Sequence, residues 1–285
     1  MRIKKDAAIS TIHPSAHVDA QAKLAPDVRV GPFAVIDGPV VIGEGSTIHA
    51  HARLIGPMVL GARNVVHSHA VLGDSPQDRK YNGDPSDLFI GDENVFREGV
   101  SIHRGTGKGT KTVIGNRCYF MVNSHVGHNC VVADDVMMIN NSALGGHVHV
   151  GARAIIGANS AIHQFCRVGR LAMLSNGAGM QVDTPPFFIC MSTNHVTQLN
   201  AVGLRRSGMS RESINGIRRM FQLAFRTRRP IKAALAALPA DVLAVPEVRE
   251  MVEFVLAAKR GVARFQRWSR RGVGEQAVDE AKPSD

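Results

Sequence analysis

Apolar residues recur at every sixth position along most of the chain. The first unbroken run has eleven aliphatic residues, at Ile12, Val18, Leu24, Val30, Ile36, Ile42, Ile48, Leu54, Leu60, Val66 and Leu72. This period fits neither a helix, which repeats every ~3.6 residues, nor an ordinary strand, which alternates every two. It is typical of a hexapeptide parallel β-helix, in which three hexads make one coil and each hexad points one aliphatic side chain inward. The pattern therefore predicts a mainly β fold built as a solenoid.

Two polar segments interrupt the repeat. Residues 74–88 combine Asp, Pro, Gly and charged residues, which is the composition of an exposed loop, and residues 103–112 form a second, glycine-rich break. The glycines of the second break lack the spacing of a nucleotide phosphate loop. Because insertions in a regular solenoid usually serve binding, both are predicted to be functional loops. Counting residues does not decide whether 74–88 replaces a coil or projects from one.

The hexads end at Met180, and a helical period follows later. No period is visible between Pro186 and about Gly208, so this part is expected to be irregular. The predicted helices are Arg211–Arg226 after an N-cap at Ser210, Pro230 to about Leu238, and Pro246 to about Lys259.

These boundaries give three parts. We predict a β-helix over residues 10–186, a small α-helical C-terminal domain over 187–272, and a disordered tail over 273–285. The helices would cover one end of the β-helix, where strand edges are otherwise unpaired.

Four of the five histidines within residues 123–164 form the candidate set. His128, His147 and His163 lie in hexads whose first residues are 18 positions apart, and His125 comes three residues before His128. In a coil of three hexads, such positions stack at the strand spacing of about 4.8 Å. The sequence therefore predicts that the three histidines share one edge of successive coils, and this edge is the main candidate for the functional site.

Composition limits the classes of protein. The N-terminus is charged and lacks the apolar core of a signal peptide, and no run of 18 apolar residues could cross a membrane. Cys118, Cys130, Cys166 and Cys190 lack metal-site spacing and are expected to be free thiols in a reducing compartment. We therefore expect a cytoplasmic protein with no membrane span, no metal and no cofactor.

The net charge of +10 is concentrated in the C-terminal part. Between Leu204 and Arg271 there are 16 Lys and Arg residues against 5 Asp and Glu residues. Such a face suits an acidic partner such as nucleic acid, anionic lipid or an acidic protein, although it could also be merely solvated. No aromatic-interleaved basic patch or nucleic-acid-binding motif is present, so nucleic acid is not expected as a partner.

Six segments together narrow the family. They are PQDRKY (76–81), SIHRGT (101–106), NSHVGHNC (123–130), LGGHV (144–148), AIHQFC (161–166) and NAVGLRRSGMS (200–210). Over roughly residues 10–265 the chain resembles the bacterial acyl-[acyl-carrier-protein]–UDP-N-acetylglucosamine O-acyltransferases, the first enzymes of lipid A biosynthesis. The resemblance implies a homotrimer of left-handed parallel β-helices with active sites between subunits. It also implies transfer of an (R)-3-hydroxyacyl group from acyl carrier protein to the 3-hydroxyl of UDP-N-acetylglucosamine.

The resemblance also implies roles for individual residues. His128 would be the general base, and the backbone N–H of Gly146 would stabilise the oxyanion. The implied substrate contacts are Gln77, Asp78, Lys80 and His125 for the sugar and phosphate, His147, His163 and Gln164 as further contacts, and Asn200 and Arg206 for the nucleotide. The basic C-terminal face would then steer the acidic acyl carrier protein.

Three positions depart from the family's usual pattern. Asn129 follows the expected base where an Asp often stands, and an amide cannot stabilise an imidazolium by charge. Ser207 replaces a second arginine on the nucleotide side. Asn176 stands where a glycine commonly leaves room for the end of the acyl chain, so we predict a preference for ten to twelve carbons, since each rejected methylene is worth about 0.8 kcal/mol.

Other functions remain as alternatives. A related acyltransferase acting on another UDP-amino sugar shares most of these features, and a non-catalytic β-helix shares the repeat. Zinc carbonic anhydrases also use hexapeptide β-helices, and neutral imidazole is a good zinc ligand. However, four of the expected substrate contacts would have no role in hydrating CO₂, which favours the acyltransferase; they are Gln77, Asp78, Lys80 and Arg206.

Overall fold

The structure is a computed structural model that describes residues 11–227 and 229–267, so the tail predicted over 273–285 lies outside the described residues. The strands of the coils are β1 Thr11–Ile12, β2 His17–Val18, β3 Lys23–Leu24, β4 Arg29–Val30, β5 Val35–Asp37, β6 Val40–Ile42, β7 Thr47–Ile48, β8 Arg53–Ile55, β9 Met58–Leu60, β10 Val65–Val66, β11 Val71–Asp74, β12 Asp87–Ile90, β13 Val95–Phe96, β14 Ser101–His103, β15 Lys111–Ile114, β16 Tyr119–Phe120, β17 His125–Val126, β18 Val131–Val132, β19 Met137–Met138, β20 Ala143–Leu144, β21 His149–Val150, β22 Ile155–Ile156, β23 Ala161–Ile162, β24 Arg167–Val168, β25 Met173–Leu174 and β26 Gly179–Met180. The C-terminal elements are β27 Phe188–Ser192, β28 His195–Leu199, α1 Ala201–Arg206, α2 Arg211–Met220, a π-helical turn Phe221–Phe225, α3 Ile231–Ala236, α4 Ala240–Leu243, α5 Pro246–Leu256 and β29 Arg264–Phe265.

The short strands stack into three parallel sheets that form a triangular left-handed solenoid. Sheet A contains every third strand from β1 to β25, sheet B those from β2 to β26, and sheet C those from β3 to β24. The turns between them form three columns, which we call the A–B, B–C and C–A corners. Residues 127–130, 145–148 and 163–166 belong to the B–C corner, and residues 115–118 and 133–136 belong to the C–A corner.

The hexad residues fill the interior, as the sequence predicts. Ile36, Leu54 and Leu72 are completely buried, and the equivalent residues of later coils are at most 2% exposed. Ile12, in the first described coil, is 44% exposed. Each fully buried aliphatic side chain stabilises the fold by roughly 1.5–3 kcal/mol. A narrow interior closed on three sides explains why one apolar residue is needed in every hexad.

Both predicted loops project from the B–C corner. Val65 of sheet A pairs with Val95, 30 residues later, and Val95 pairs with Tyr119, 24 residues later, whereas Tyr119 pairs with Met137 at the regular spacing of 18. The coils therefore continue through both insertions, and 74–88 projects from a coil rather than replacing one. The strands extend into the predicted segments, so the loops are shorter than expected and span 75–86 and 104–110.

The expectation of irregular structure from Pro186 to Gly208 is wrong. β27 pairs with β25 and then forms an antiparallel hairpin with β28, which continues sheet A beyond the coils. Helix α1 follows directly. The five-residue strands follow neither the hexad nor a helical period, and their pairing with the last coil is a tertiary contact, so no periodicity marks them.

The predicted helices exist but are shorter than expected. The Ser210 side chain accepts a hydrogen bond from the Ser213 N–H, which confirms it as the N-cap of α2. Helix α2 ends at Met220 because the chain continues as the π-helical turn, and α4 was not predicted.

Two arginines of the last coil, Arg167 and Arg170, attach helix α5 to the β-helix. Asp183, only 2% exposed, accepts a hydrogen bond from Arg167 at 2.7 Å, and Arg167 also donates to the carbonyl oxygen of Phe254 at 2.7 Å. Arg170 pairs with Glu250 of α5 at 2.8 Å.

Among the described residues, no helix is long and apolar enough to cross a membrane. All four cysteines are free and buried, and burial raises the pKa of Cys118, Cys130 and Cys190 to about 12.

Candidate active site

A groove of about 440 Å³ runs along sheet B beside the B–C corner. It brings together six of the predicted site residues: Gln77, His125, His128, Gly146, His163 and Gln164. His147 touches this set, since its ring lies edge-on to that of His128 with the centroids 5.2 Å apart. The prediction that His128, His147 and His163 share one edge of successive coils is therefore confirmed.

The imidazole of His128 is held by the next residue. Its Nδ1 lies 2.9 Å from Oδ1 of Asn129, and the same oxygen accepts a hydrogen bond from the Thr106 N–H at 2.9 Å. Asn129 has a left-handed backbone, with φ of 59°, and its own N–H donates to the hydroxyl of Thr112 at 2.8 Å. Residue 129 thus orients His128 despite having no charge.

Gly146 leaves the space that His128 occupies. It lies one coil after His128, and a Cβ added to it would come within 2.6 Å of both Cε1 and Nε2 of the imidazole. No acceptor for the Gly146 N–H lies among the described residues. The position therefore combines room for the ring with a backbone donor that is free beside it.

The neighbouring histidines are biased toward their neutral forms. Burial lowers the pKa of His125 and of His147, and the nearby His128 lowers both further. His125 is hydrogen bonded through Nδ1 to the hydroxyl of Ser101 at 2.8 Å, and the ring of His147 stacks on Phe165 with centroids 4.6 Å apart. A neutral imidazole can donate one hydrogen bond to a substrate and accept another from it.

His103 is a site residue that sequence analysis missed. It lines the groove, is only 6% exposed, and accepts a hydrogen bond at Nδ1 from the Gln77 N–H at 3.2 Å. Burial lowers its pKa to about 4, so it stays neutral and keeps this acceptor. The sequence feature that could have identified His103 is its place in the SIHRGT segment. Counting in steps of 18 could not find it, because the second insertion separates β14 from β17 by 24 residues.

The two loops are tied to each other above the groove. Arg104, in the second loop, donates to the hydroxyl of Tyr81 at 3.0 Å and to the carbonyl oxygen of Gly73 at 3.1 Å. Asp78 accepts a hydrogen bond from the Lys80 N–H at 3.0 Å, which is the main reason that its pKa lies below the usual range. The Lys80 side chain is exposed at the same place.

Three predicted residues lie elsewhere in the same chain. Asn200 is 6% exposed and caps α1, accepting from the Gly203 N–H and donating to the carbonyl oxygen of Leu171, both at 2.9 Å. Arg206 lines a separate groove of about 370 Å³ at the C–A corner. Asn176 lies at the A–B corner, where its Oδ1 accepts the Ala158 N–H at 2.9 Å. A single chain therefore does not assemble the full predicted set.

Within residues 11–227 and 229–267, no group of three His, Cys, Asp or Glu side chains is arranged to hold a metal ion.

Known proteins match this chain over most of its length. A family described as bacterial transferase hexapeptide (six repeats) matches residues 22–56, and one described as UDP-N-acetylglucosamine O-acyltransferase, domain 2, matches residues 183–263. The acyl-[acyl-carrier-protein]–UDP-N-acetylglucosamine O-acyltransferase of Stutzerimonas stutzeri is 38% identical over 90% of this chain and 100% of its own length. That of Anaeromyxobacter dehalogenans is 40% identical over 89% and 99%.

Solved structures agree with the curated relatives. The UDP-N-acetylglucosamine acyltransferase of Francisella novicida superposes with a TM-score of 0.85 at 33% identity, covering 89% of this chain and 94% of its own. The enzyme of Campylobacter jejuni gives 0.83 at 30% identity, covering 90% and 100%. With identity at this level over nearly the whole chain, and with the histidine groove in place, the chain belongs to the acyl-[acyl-carrier-protein]–UDP-N-acetylglucosamine O-acyltransferase family.

Proposed function

We infer that the protein transfers an acyl group from acyl carrier protein to UDP-N-acetylglucosamine, the first step of lipid A biosynthesis. The relatives are named for this activity, and their sequences align with this chain over almost its whole length. In finer detail, the acyl group is an (R)-3-hydroxyacyl group, the acceptor is the sugar 3-hydroxyl, and the general base is His128. The observation that supports His128 as the base is the pairing of its oriented imidazole with a glycine N–H in one groove.

Proton transfer at His128 starts the reaction. The Nε2 atom takes the proton of the sugar hydroxyl while the hydroxyl oxygen attacks the thioester carbonyl. A C–O bond forms, the C–S bond of the thioester breaks, and the imidazolium returns the proton to the departing thiolate. Histidines ordinarily titrate near pH 6.5, which suits a base at neutral pH, and a positioned base accelerates such a step about 10²–10⁴-fold.

The N–H of Gly146 stabilises the oxyanion formed at the thioester carbonyl. It lies beside the His128 ring and has no acceptor among the described residues. A donor aimed at a developing oxyanion is worth about 10²–10³ in kcat. His128 and Gly146 together therefore supply the two groups that acyl transfer requires.

Loop 75–86 and the histidines bind the sugar nucleotide. Gln77 and Asp78 place the glucosamine, and Lys80 with His125 holds the sugar and phosphate. The remaining contacts come from His147, His163 and Gln164, which lie beside or along the groove. Asp78 can accept hydrogen bonds from sugar hydroxyls, because its lowered pKa keeps the carboxylate ionised.

A neighbouring subunit supplies the nucleotide contacts of Asn200 and Arg206. These residues lie away from the B–C corner of their own chain, which supports a homotrimer with active sites between subunits. Subunit mixing tests this arrangement. Trimers assembled from His128→Ala and Arg206→Ala chains should regain activity that neither parent has, whereas activity no higher than that of the parents contradicts a shared site.

The basic C-terminal face steers acyl carrier protein, which is acidic. Attraction between opposite charges raises association rates and weakens with salt. We therefore expect kcat/KM for the acyl donor to fall steeply with ionic strength. The four free cysteines support a reaction in the cytoplasm, which is a reducing compartment.

Replacing the base tests the function directly. His128→Ala should fold normally and lose turnover by about 10²–10⁴-fold, because only the proton acceptor is removed. The assay combines a panel of 3-hydroxyacyl carrier proteins with UDP-N-acetylglucosamine or its 3-amino analogue and identifies the product by mass. Undiminished turnover in His128→Ala contradicts the base assignment, and exclusive use of the 3-amino analogue favours the related acyltransferase.

A further inference from the structure

The hydrogen bonds around Asn129 determine which nitrogen of His128 carries a proton. A backbone N–H can only donate, so the Asn129 atom that faces the Thr106 N–H at 2.9 Å must be the amide oxygen. The same oxygen lies 2.9 Å from Nδ1 of His128. Because that oxygen can only accept, Nδ1 must be the protonated nitrogen, and the lone pair of the neutral ring is on Nε2.

The amide is fixed against rotation. A flipped amide would turn its NH₂ group toward the Thr106 N–H, which is itself a donor, and it could bond the imidazole only if the ring proton moved to Nε2. The backbone of Asn129 is fixed as well, since its N–H donates to Thr112, whose side chain is fully buried. Its left-handed φ of 59° is one that asparagine tolerates well. Orientation of the imidazole therefore does not require a charge at residue 129.

The acidic group that this network reaches is Asp78. The hydroxyl of Thr106 lies 3.4 Å from Oδ2 of Asp78, so Thr106 links the amide of Asn129 to a carboxylate in loop 75–86. The other titratable groups around His128 are the imidazoles of His103, His125 and His147, whose pKa values are all lowered by burial. The charge of Lys80 lies in the same loop as Asp78 and favours its ionised form.

We propose that Asn129 is the positioning residue of the His128 imidazole, and that the negative charge stabilising its protonated form comes from Asp78, linked through Thr106, rather than from residue 129. This proposal rests on the proposed role of His128 as base. It separates two tasks, because a neutral amide sets the tautomer while a carboxylate on a loop supplies the charge. The strength of the base then depends on where loop 75–86 lies.

The tautomer is tested on the full-length protein without any turnover. In protein labelled with ¹⁵N-histidine, with the His128 signals assigned by comparison with His128→Gln, we expect Nδ1 to be protonated and Nε2 to be bare at pH 8. Asn129→Ala should lose this preference, and Asn129→Asp should keep it. The matched control is Asn141→Ala, since Asn141 has the same left-handed φ of 58° at the A–B corner and should leave the His128 signals unchanged.

The charge is tested by the pH dependence of kcat, which reports groups in the enzyme–substrate complex. Asp78→Asn should move the acid limb to lower pH, and Asn129→Asp should move it to higher pH by about one unit or more, as expected for a carboxylate placed against the ring. Thr106→Val should move the acid limb in the same direction as Asp78→Asn but by less, and Thr106→Ser should leave it at the wild-type pH.

Two outcomes overturn the proposal. One is a wild-type His128 protonated on Nε2, or a tautomer that Asn129→Ala leaves unchanged. The other is an acid limb that stays in place in Asp78→Asn. Since the imidazole signals need no substrate, failure of the positioning role is distinguishable from failure of the acyl transfer function.

Discussion

Two turns of the solenoid share one backbone but differ in what they expose. Residues 127–130 at the B–C corner read Gly-His-Asn-Cys, and residues 115–118 at the C–A corner read Gly-Asn-Arg-Cys. Each has its third residue in the left-handed region, with φ of 59° at Asn129 and 55° at Arg117. The second residue is His128 in one turn and Asn116 in the other. The backbone of the coil therefore does not distinguish the turn that carries the proposed base from a structural one.

The next coil makes the difference. Eighteen residues after Asn116 stands Asp134, whose Oδ1 accepts the Asn116 N–H at 2.9 Å, and Asn116 in turn accepts the Asp92 N–H at 2.7 Å. Eighteen residues after His128 stands Gly146, which has no side chain to accept anything. At the C–A corner, side-chain oxygens of one coil accept hydrogen bonds from backbone N–H groups of the coil before it. This series of hydrogen bonds is missing where Gly146 stands at the B–C corner. The Gly146 N–H is left without an acceptor in the part of the chain that the structure describes, and the imidazole gains room.

Filling the open corner should have the largest effect. Gly146→Ala places a Cβ against the His128 ring and displaces it, so kcat should fall by about 10²–10³ or more. Stability should hardly change, because Gly146 does not have a positive φ and the clash is with a side chain. Steady-state kinetics and thermal unfolding measure both effects.

Gly145→Ala is the matched control for this variant. Its Cβ would lie 2.8 Å from the backbone nitrogen of Gln164, so we expect a loss of stability as well as activity. Full activity in Gly146→Ala would contradict the role of the empty position.

Removing a hydrogen-bonding side chain from the C–A corner should lower stability and leave catalysis unchanged. Asn94 is completely buried, and its amide bonds Asn64 at 3.0 Å, the carbonyl oxygen of Gly115 at 3.0 Å and the Cys118 N–H at 2.8 Å. Asn94→Ala removes the partner of the Gly115 carbonyl oxygen and of the Cys118 N–H, which we expect to lower the free energy of unfolding by about 2–4 kcal/mol. Denaturant titration measures the loss, and kcat per folded molecule should stay at the wild-type value. A parallel fall in kcat would show that the two corners are coupled.

The third corner offers the smallest effect. Asn176 caps the Ala158 N–H at the A–B corner, as side-chain oxygens do at the C–A corner. Asn176→Gly removes its volume, and room for two more methylenes corresponds to about 1.6 kcal/mol, or roughly a tenfold shift toward longer acyl chains. Competition between acyl carrier proteins of different chain length measures it. A wild-type preference for fourteen carbons, or an unchanged preference in the variant, would refute the proposed role of Asn176.

The sequence predicted those parts of the molecule that depend on the repeat. Ile36, Leu54 and Leu72 had to be apolar because the interior is narrow, and the same period placed His128 against His147. Residues whose position depends on contacts outside the repeat were not predictable. The insertions changed the spacing that would have revealed His103, and the hairpin of β27 and β28 depends on pairing with the last coil. The tautomer of His128 depends on Thr106, which lies in a loop without any period.

The unequal spacing between paired strands has a consequence for how the chain folds. A solenoid gains stability as each coil closes on its neighbour, and closing a longer segment costs more entropy. Pairing Val65 with Val95 closes 30 residues instead of 18, which adds about 0.5 kcal/mol to that step. Residues 11–66 and 119–180 pair at the regular spacing on either side. A chain that grows coil by coil therefore meets its steepest step where the two loops enter, and the groove is completed only when the halves on either side have joined.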